Sequence, residues 1–566
     1  MSSTALPAMT PRHGLRRWFV ALVATVLLVV SGSGLVAFAQ SDAATGKGPQ
    51  FVPADAAVYV EVRLDMPAGQ GEALAEFMTA FPGFADTGSF ELKVGEAVNG
   101  LIGEATGGAV SGVDVLASFA TGEAGLALMD LAAAATGSTE LPMLVGVAIS
   151  DRAAAEAFVD TLMSSLGADV SEEAYGDARI LSSEGTSVGI TAEWLLLSQT
   201  VDMIKAGVDT IEGVTPSLAD DPDFAAAFSR VPAAHLGAAY LDLASFGPLI
   251  ELAGTAAQGQ GGVSLDSAAL VAQLPVDMVA YLAAEADRMT LEAFITPSAS
   301  TPTLPVGESD LALRFPSDTQ VYVETRELGD SLESLLSGLL GMMDEASAAQ
   351  IAPFEDMLGE PLPTFFDFVS DASVGGALSS DGLWLGIAAE VSDEAVASQR
   401  LERVLSIVRL IGAGMTDDEG GATISVTTET VGDAEVTVIT IPAPIEEAFG
   451  TSLPFAVGDT ISVTISDGTL LMGTGEFVTA ALTQPAAESL GESAAYTEAL
   501  SDDTQNSGVI YANVSSLLAA LDPMLSMMTP QWADIAPYAT AIDRIVAVGS
   551  TADDVISVRM SVIVGP

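Results

Sequence analysis

Pro53-Ala-Asp-Ala-Ala-Val-Tyr-Val-Glu-Val-Arg63 occurs twice in this chain, the second time as Pro316-Ser-Asp-Thr-Gln-Val-Tyr-Val-Glu-Thr-Arg326. Seven of the eleven positions are identical, and the two segments lie 263 residues apart. In both copies the residues around Val-Tyr-Val alternate in the way that is typical of a β-strand. A match of this length predicts a tandem duplication.

The repeat extends beyond this strand. Ser150-Asp151 and Ser392-Asp393 both resemble helix N-caps, and Gly237–Ser245 matches Gly508–Ser516 in its Gly, Tyr and final Ser. Both copies end in a pattern typical of a β-hairpin. The predicted fold class is α+β, with two tandem copies that are each an antiparallel sheet with helices packed mainly on one face.

The composition and its shifts along the chain predict five segments. They are residues 1–39 as a signal peptide or signal-anchor, 40–50 as a tether, 51–296 as the first copy, 297–309 as a Pro/Ser/Thr linker, and 310–566 as the second copy.

The N-terminal segment predicts the cellular address. Arg16 and Arg17 precede the apolar run Trp18–Val30, and Ala37-Phe38-Ala39 fits a signal-peptidase site. We favour cleavage after Ala39; residues 18–39 as an uncleaved membrane anchor are the alternative. Either arrangement places the body of the chain outside the cytoplasm and confines membrane contact to this segment.

The charge balance excludes one class of partner. The chain has 18 basic and 76 acidic residues, and three of the basic residues precede Gln40, so the rest of the chain carries a net charge of -61. Such a surface repels nucleic acid. It favours solubility, with weak cation binding as a minor alternative.

Because like charges dominate the surface, we expect added NaCl to raise the melting temperature by screening self-repulsion. Calorimetry from low salt to about 1 M NaCl tests this expectation. A melting temperature that stays constant over this range would contradict it.

The residues that usually carry catalysis are scarce. Cysteine is absent, which excludes disulfides, thiol nucleophiles and zinc-thiolate sites. His235 is the only histidine after the N-terminal segment, and the sequence predicts a structural role for it in a loop or partly buried position, with a catalytic base as the alternative. The glycines of 258–262 lack the Lys of a phosphate-binding loop. We therefore predict no catalytic, cofactor-binding or metal-binding residues and no cofactor.

Carboxylates are too abundant for single pairs to indicate a site. Asp220-Asp221-Pro-Asp223 and Asp417-Asp418-Glu419 lack the spacing of a calcium-binding loop, and we interpret them as helix caps or solvated turns. A carboxylate-based hydrolase remains the less favoured alternative, since its two acids can come from distant parts of a chain.

Two further features of the sequence have alternative interpretations. Glu61 and Arg63, like Glu324 and Arg326, share one strand face, which predicts a structural ion pair with neighbouring strands; a shared ligand contact is the alternative. The Met-rich stretch 524–528 and the pair 342–343 favour core packing, with the lining of an apolar pocket as the alternative.

The N-terminal segment, the Pro53–Val60 motif and the duplicated body together resemble the bacterial family called domain of unknown function 3352. The resemblance covers roughly residues 50 to 566 and implies an extracytoplasmic, membrane-associated location without a known activity. We expect a non-enzymatic envelope protein with a structural or interaction role and an unidentified envelope protein as its partner. Binding or carriage of an apolar or lipid-like ligand is the alternative function.

Overall fold

The computed structural model describes residues 46–565 apart from internal stretches, of which the longest are 100–112, 132–141, 252–270, 415–423 and 442–457. The predicted N-terminal segment 1–39 lies outside the described residues. Contacts divide the described residues into unit 1, which runs to Ala256 and includes Asp266–Pro302, and unit 2, Thr303–Gly565. The domain boundaries drawn from the sequence stay predictions.

Unit 1 contains ten strands among its described residues. They are β1 Val58–Arg63, β2 Ala120–Leu128, β3 Met143–Ile149, β4 Ser171–Tyr175, β5 Ala178–Ser183, β6 Thr186–Ile190, β7 Trp194–Ser198, β8 Gly237–Asp242, β9 Asp277–Glu285 and β10 Arg288–Thr296. All neighbours pair antiparallel, in the order β4-β5-β6-β7-β3-β2-β1-β8-β9-β10. The twice-occurring strand is therefore central in its sheet.

The helices of unit 1 cover both faces of this sheet. They are α1 Gln70–Met78, α2 Val113–Ala117, α3 Arg152–Ser165, α4 Val201–Ile211 and α5 Pro222–Phe228. Side chains of α3 pack with Leu195 and Leu197, whereas those of α4 and α5 pack with Leu196. Since successive strand residues point to opposite faces, these two cores lie on opposite sides of the sheet.

Unit 2 has the same order of strands. They are β11 Val321–Thr325, β12 Val369–Ser379, β13 Gly382–Val391, β14 Ser425–Val431, β15 Ala434–Thr440, β16 Thr460–Ser466, β17 Thr469–Thr474, β18 Gly508–Asn513, β19 Ile542–Ala552 and β20 Val555–Val564. The antiparallel order is β14-β15-β16-β17-β13-β12-β11-β18-β19-β20. The four strands β14–β17 therefore form an antiparallel meander.

The helices of unit 2 also lie on both faces, but unequally. They are α6 Leu328–Met342, α7 Ala352–Leu358, α8 Glu394–Gly414, α9 Phe477–Thr483, α10 Ala494–Leu500, α11 Val514–Met528 and α12 Trp532–Ala539. Residues of α9 and α10 pack with Ala388, and Ala397 of α8 packs with Ala389 on the opposite face. The prediction that helices pack mainly on one face is therefore wrong, because both pleat faces carry apolar residues that must be buried.

An aromatic pair fills the core of each unit where strand glycines leave room. Phe51 and Trp194 lie with ring centroids 4.9 Å apart, and Phe315 and Phe477 are also 4.9 Å apart. A Cβ atom on Gly146 would lie 2.5 Å from the Phe51 ring. Glycine is thus required there, because protein interiors tolerate no such overlap.

The structure contains strands that the sequence does not predict, and their composition explains why. β2, β12 and β13 contain several Gly and Ala residues, which have low β propensity, so their strand state depends on pairing with neighbours. Within the part of the chain that the structure describes, no helix combines the length and the apolarity needed to cross a membrane.

Candidate functional site

A buried polar cluster lies at the centre of unit 1, and β1 supplies three of its members. Tyr59, Glu61 and Arg63 alternate with valines, so they share one face of the strand. Their exposed fractions are 0%, 0% and 2%. Tyr59 Oη donates a hydrogen bond of 2.9 Å to Glu61 Oε2. Burial, followed by the negative charges of nearby glutamates, raises the pKa of Tyr59 well above its ordinary value, so its hydroxyl remains a donor.

His235 completes the pairing of Glu61. Its Nε2 lies 3.2 Å from Glu61 Oε1, and its Nδ1 lies 2.7 Å from the carbonyl oxygen of Pro232. A carbonyl only accepts, so Nδ1 carries a proton and donates it to Pro232. Both side chains are fully buried, which leaves a substrate no access to this pair. This geometry supports the structural role predicted for His235, although the side chain is more deeply buried than the sequence predicts.

Glu123 of β2 is the acid that lies opposite Arg63 in the strand register. It is 4% exposed, and the backbone amides of Lys47 and Gly48 hydrogen-bond to it. Its Oε2 is buried and has no hydrogen-bond partner among the described residues. Burial, followed by the charge of Glu61, raises the pKa of Glu123 from 4.5 to about 7, while Arg63 opposes the shift.

The segment that covers Glu123 depends on glycine. A Cβ atom on Gly46 would lie 1.3 Å from Glu123 Oε2, and one on Gly48 would lie 2.1 Å from Tyr59 Oη. Both distances are far shorter than any non-bonded contact. The two glycines therefore let the backbone approach the cluster closely.

Unit 2 contains a corresponding cluster of buried polar side chains. Tyr322 Oη and Arg326 Nη1 both donate to Glu324. Arg326 Nη1 also donates to Asp371 Oδ2 at 3.0 Å, and its Nη2 donates to Asn506 Oδ1 at 2.9 Å. This confirms the predicted ion pair with a neighbouring strand, because Asp371 belongs to β12.

Register relates the two clusters position by position. The pairing of β11 with β12 ends at Thr325 and Ala372, so the next positions along the two strands are Arg326 and Asp371. These two side chains form an ion pair. In unit 1 the same two positions are occupied by Arg63 and Glu123.

The position of His235 in unit 1 is occupied by an asparagine, Asn506, in unit 2. His235 precedes Gly237, the first residue of β8, by two positions, and Asn506 precedes Gly508, the first residue of β18, by two positions. Both glycines lie in register with the repeated strand. Unit 2 thus has an amide in the place where unit 1 has an imidazole.

A cleft of about 840 Å³ opens beside Glu123 and Arg63 in unit 1. Its polar rim includes Lys47 and Glu193, which form an exposed ion pair of 3.0 Å. Its apolar lining comes from aromatic and aliphatic side chains, namely Pro49, Ile149, Trp194, Phe224 and Phe228. Cavities of this size and composition accommodate small organic ligands.

The acidic runs singled out in the sequence have separate outcomes. Asp221 caps α5 by accepting from the amides of Asp223 and Phe224 at 2.8 and 2.9 Å, and Asp220 accepts from Ser217. The cap interpretation is therefore confirmed for this run. Residues 258–262 and 417–419 lie outside the described residues.

The Met-rich stretch of α11 differs from its prediction. Met527 and Met528 are 80% and 71% exposed, so the prediction of core packing is wrong for them. The described side chains of α11 include none that is fully buried. Met343 lies outside the described residues.

Sequence reasoning did not identify Glu123, Asp371 or Asn506 as members of the clusters. The acids are two among 76, and no local pattern distinguishes them. The available signal was the repeated pair of Glu and Arg, because two buried charges on one strand require partners from its neighbours.

Fold and clusters together define a class of α+β protein with a polar cluster buried beneath the central strand of each sheet. The chain belongs to the family described as protein of unknown function (DUF3352), whose sequence profile matches residues 118–555. This confirms the resemblance drawn from the sequence. No curated protein matches the chain.

Two crystal forms of one solved protein are remotely similar to this chain. Crystal form I of TP0453 is 13% identical, with coverage of 45% of this chain and 80% of that chain and a TM-score of 0.23. Crystal form III of the same protein is 14% identical, with coverage of 46% and 84% and a TM-score of 0.24. These TM-scores are too low to indicate a shared fold.

Proposed function

We propose that this chain is a non-catalytic interaction protein of the extracytoplasmic envelope, and that it binds a protein partner through one sheet face of unit 2. The observation that carries the proposal is a row of apolar side chains across seven neighbouring strands. In register, the row consists of Met472, Ile387, Val374, Val323, Ile510, Ala547 and Met560.

This row is exposed to solvent. The exposed fractions of its Met472, Val374, Val323, Ile510 and Met560 side chains range from 36% to 52%. Sheet faces that meet water normally alternate to polar residues, and large exposed apolar patches mark interaction sites.

A second, adjacent row is also free of charge. It consists of Leu385, Gly376, Val321, Ala512, Ile545 and Val562. The two rows together are called the apolar face below. Helix α8 packs at one end of this face, where Ala397 belongs to the same buried cluster as Ala372 and Ala389. The two rows themselves remain partly exposed.

The shape and charge of the apolar face favour a protein as its occupant. Six strand spacings give the row a span of about 29 Å, which suits the core of a protein interface. The chain is strongly acidic, so anionic lipid headgroups and a second copy of the chain are both repelled. The matching partner has an apolar patch with basic residues around it.

The buried clusters support a non-catalytic role. His235 and Glu61 are fully buried, and their hydrogen bonds go to each other, to Tyr59 and to the backbone. General acid–base catalysis requires a group within reach of the substrate. The identical strand order of the two units supports tandem duplication, and the predicted signal or anchor at residues 18–39 supports the extracytoplasmic location.

Site-specific photo-cross-linking in the cells that make the protein tests this function. A benzophenone side chain in place of Val323 should give one discrete protein adduct, and the same group in place of the exposed Glu429 on β14 should not. Adding Ile510→Lys should abolish the adduct, because a buried unpaired charge costs several kcal/mol at an interface.

The control variant is Leu410→Lys, which changes an exposed apolar residue of α8 outside the two rows and should leave the adduct unchanged. An adduct of lipid mass would instead support the alternative, in which the apolar face holds a lipid-like ligand. The absence of any adduct, or an adduct that survives Ile510→Lys, would contradict the interaction role.

A further inference from the structure

We propose that Glu123 is a proton-sensitive latch for the strap, residues 46–50, which covers it in unit 1, and that loss of its proton releases the strap. The strap is the last part of the predicted tether 40–50 and leads directly into the core residue Phe51. The inference rests on the contacts between the strap and Glu123, on the charges around this acid, and on the contrast with unit 2. It does not depend on the apolar face of unit 2.

The strap closes over Glu123 through its backbone. The amides of Lys47 and Gly48 hydrogen-bond to the carboxyl group, and Gly46 lies directly against its Oε2 atom. With the strap in place, Glu123 is 4% exposed. Because the strap supplies this cover, its release brings Glu123 into contact with water.

Few side-chain contacts hold the strap itself. The exposed pair of Lys47 and Glu193, with side chains 64% and 63% exposed, contributes less than about 1 kcal/mol. Pro49 is the one buried side chain of the strap. Phe51, by contrast, is fully buried against Trp194, with ring centroids 4.9 Å apart. Phe51 therefore forms a fixed end from which the strap can detach.

An ionised Glu123 is poorly accommodated beneath the strap. Its Oε2 has no hydrogen-bond partner among the described residues. Burial, followed by the negative charge of Glu61, raises the pKa of Glu123 to about 7, while Arg63 opposes the shift. The other titratable groups around this acid are Tyr59 and His235, which both contact Glu61, and Lys47 and Glu193 at the surface.

Release of the strap is linked to the loss of a proton. Covered Glu123 keeps its proton up to about pH 7, whereas an exposed glutamate has a pKa of about 4.3. The raised pKa favours the closed strap at low pH, and this contribution is lost as the pH rises through 7. The equilibrium constant for release should therefore increase about ten-fold between pH 6 and pH 8.

The acid at the corresponding position of unit 2 is held differently. Asp371 accepts from Arg326 Nη1 at 3.0 Å and from the amide of Glu327 at 3.1 Å, so each of its two oxygens has a donor. These donors belong to the residues that directly follow β11, and not to a segment ahead of the unit. The proton-sensitive cover is therefore a property of unit 1.

Release changes the reach of the chain ahead of unit 1. When the five strap residues detach and extend, they add up to about 17 Å between the predicted N-terminal segment and Phe51. Where residues 18–39 remain as a membrane anchor, unit 1 can thus move farther from the membrane at high pH than at low pH.

Hydrogen–deuterium exchange of the full chain, measured by mass spectrometry, tests the latch. Rates are normalised at each pH to those of the unstructured sequence. We expect the protection of the Lys47 and Gly48 amides to fall about ten-fold between pH 6 and pH 8, because their exchange requires release of the strap. The amides of β1 should keep the same protection at both pH values, because the sheet remains folded.

Two substitutions separate Glu123 from the surface ion pair. Glu123→Gln should keep the strap closed at both pH values and remove the pH dependence, because glutamine accepts from the same amides and does not titrate. Glu193→Gln, the matched control at the surface, should change the protection of the strap less than about three-fold and leave its pH dependence intact.

Gly46→Ala tests the latch without altering Glu123. Its methyl group would overlap Glu123 Oε2, so the strap should lose protection at both pH values while β1 stays protected. The proposal is overturned by wild-type strap protection that is constant with pH, by a pH dependence that survives in Glu123→Gln, or by a strap that stays closed in Gly46→Ala. Loss of protection in β1 together with the strap also overturns it, since unit 1 would then open as a whole.

Discussion

Replacing Arg326 with methionine should lower the free energy of unfolding of unit 2 by about 3 to 5 kcal/mol. Arg326 is 4% exposed and donates to Glu324, to Asp371 and to both oxygens of Asn506. Methionine has a similar length but no donor, so two carboxylates would lose their cation in a buried environment. Removing one partner of a buried ion pair costs far more than the pair contributes by itself.

Differential scanning calorimetry of the full chain measures this effect as a decrease in the melting temperature of the unit 2 transition. Arg409→Met is the matched control, because Arg409 is exposed and lies 3.5 Å from Glu402 within α8. A surface pair of this kind contributes less than about 1 kcal/mol. Equal losses in the two variants would show that the buried cluster does not stabilise unit 2.

The second large effect is a pH-dependent gain of stability in Glu123→Gln. The pKa of Glu123 is raised from 4.5 to about 7 in the folded chain, so folding favours its protonated form. Its stabilising contribution is complete below pH 4.5 and is lost as the pH rises through 7. Glutamine resembles the protonated acid and does not titrate.

We therefore expect the two proteins to be similar in stability near pH 5, and the variant to gain about 2 to 3 kcal/mol relative to the wild type by pH 8. Chemical denaturation at both pH values measures the difference. Glu193→Gln should differ from the wild type by less than about 1 kcal/mol at either pH, because its ion pair is exposed. A constant difference between Glu123→Gln and wild type would refute the buried, protonated acid.

The repeated segment allowed much of the architecture to be predicted. The alternation of Val58–Arg63 predicted a strand, and the structure places this strand in the interior of its sheet, between β2 and β8. The repeated Glu and Arg predicted ion pairs with neighbouring strands, because charges on a buried face need partners. These inferences depend on local periodicity, which a sequence contains directly.

The remaining members of the clusters depend on register between distant strands. The pairing of β2 with β3 has an irregularity between Ala120 and Ala124, next to Glu123. The pairing of β12 with β13 has one between Val369 and Ala372, next to Asp371. The backbone of Gly122 has a φ of 66°, which favours glycine at this irregularity. No local pattern of side chains determines where such a shift occurs.

The exposed rows of unit 2 also escaped prediction. The apolar residues of β11 and β18 have high β propensity, so their sequences predict strands. Whether the side chains on one face of such a strand are exposed depends on whether a helix packs over that face. Helix α8 covers only one end of that face, which follows from its tertiary position and not from the strands themselves.

The glycines over the cluster have a consequence for how the sequence can diverge. Gly46 and Glu123 are 77 residues apart along the chain, and Gly48 and Tyr59 are 11 apart. Neither glycine can acquire a side chain while its neighbour keeps its own. A mutation at one member of such a pair becomes tolerable only after the other has become smaller. The order of substitutions, and not only their identity, is therefore constrained in this part of the molecule.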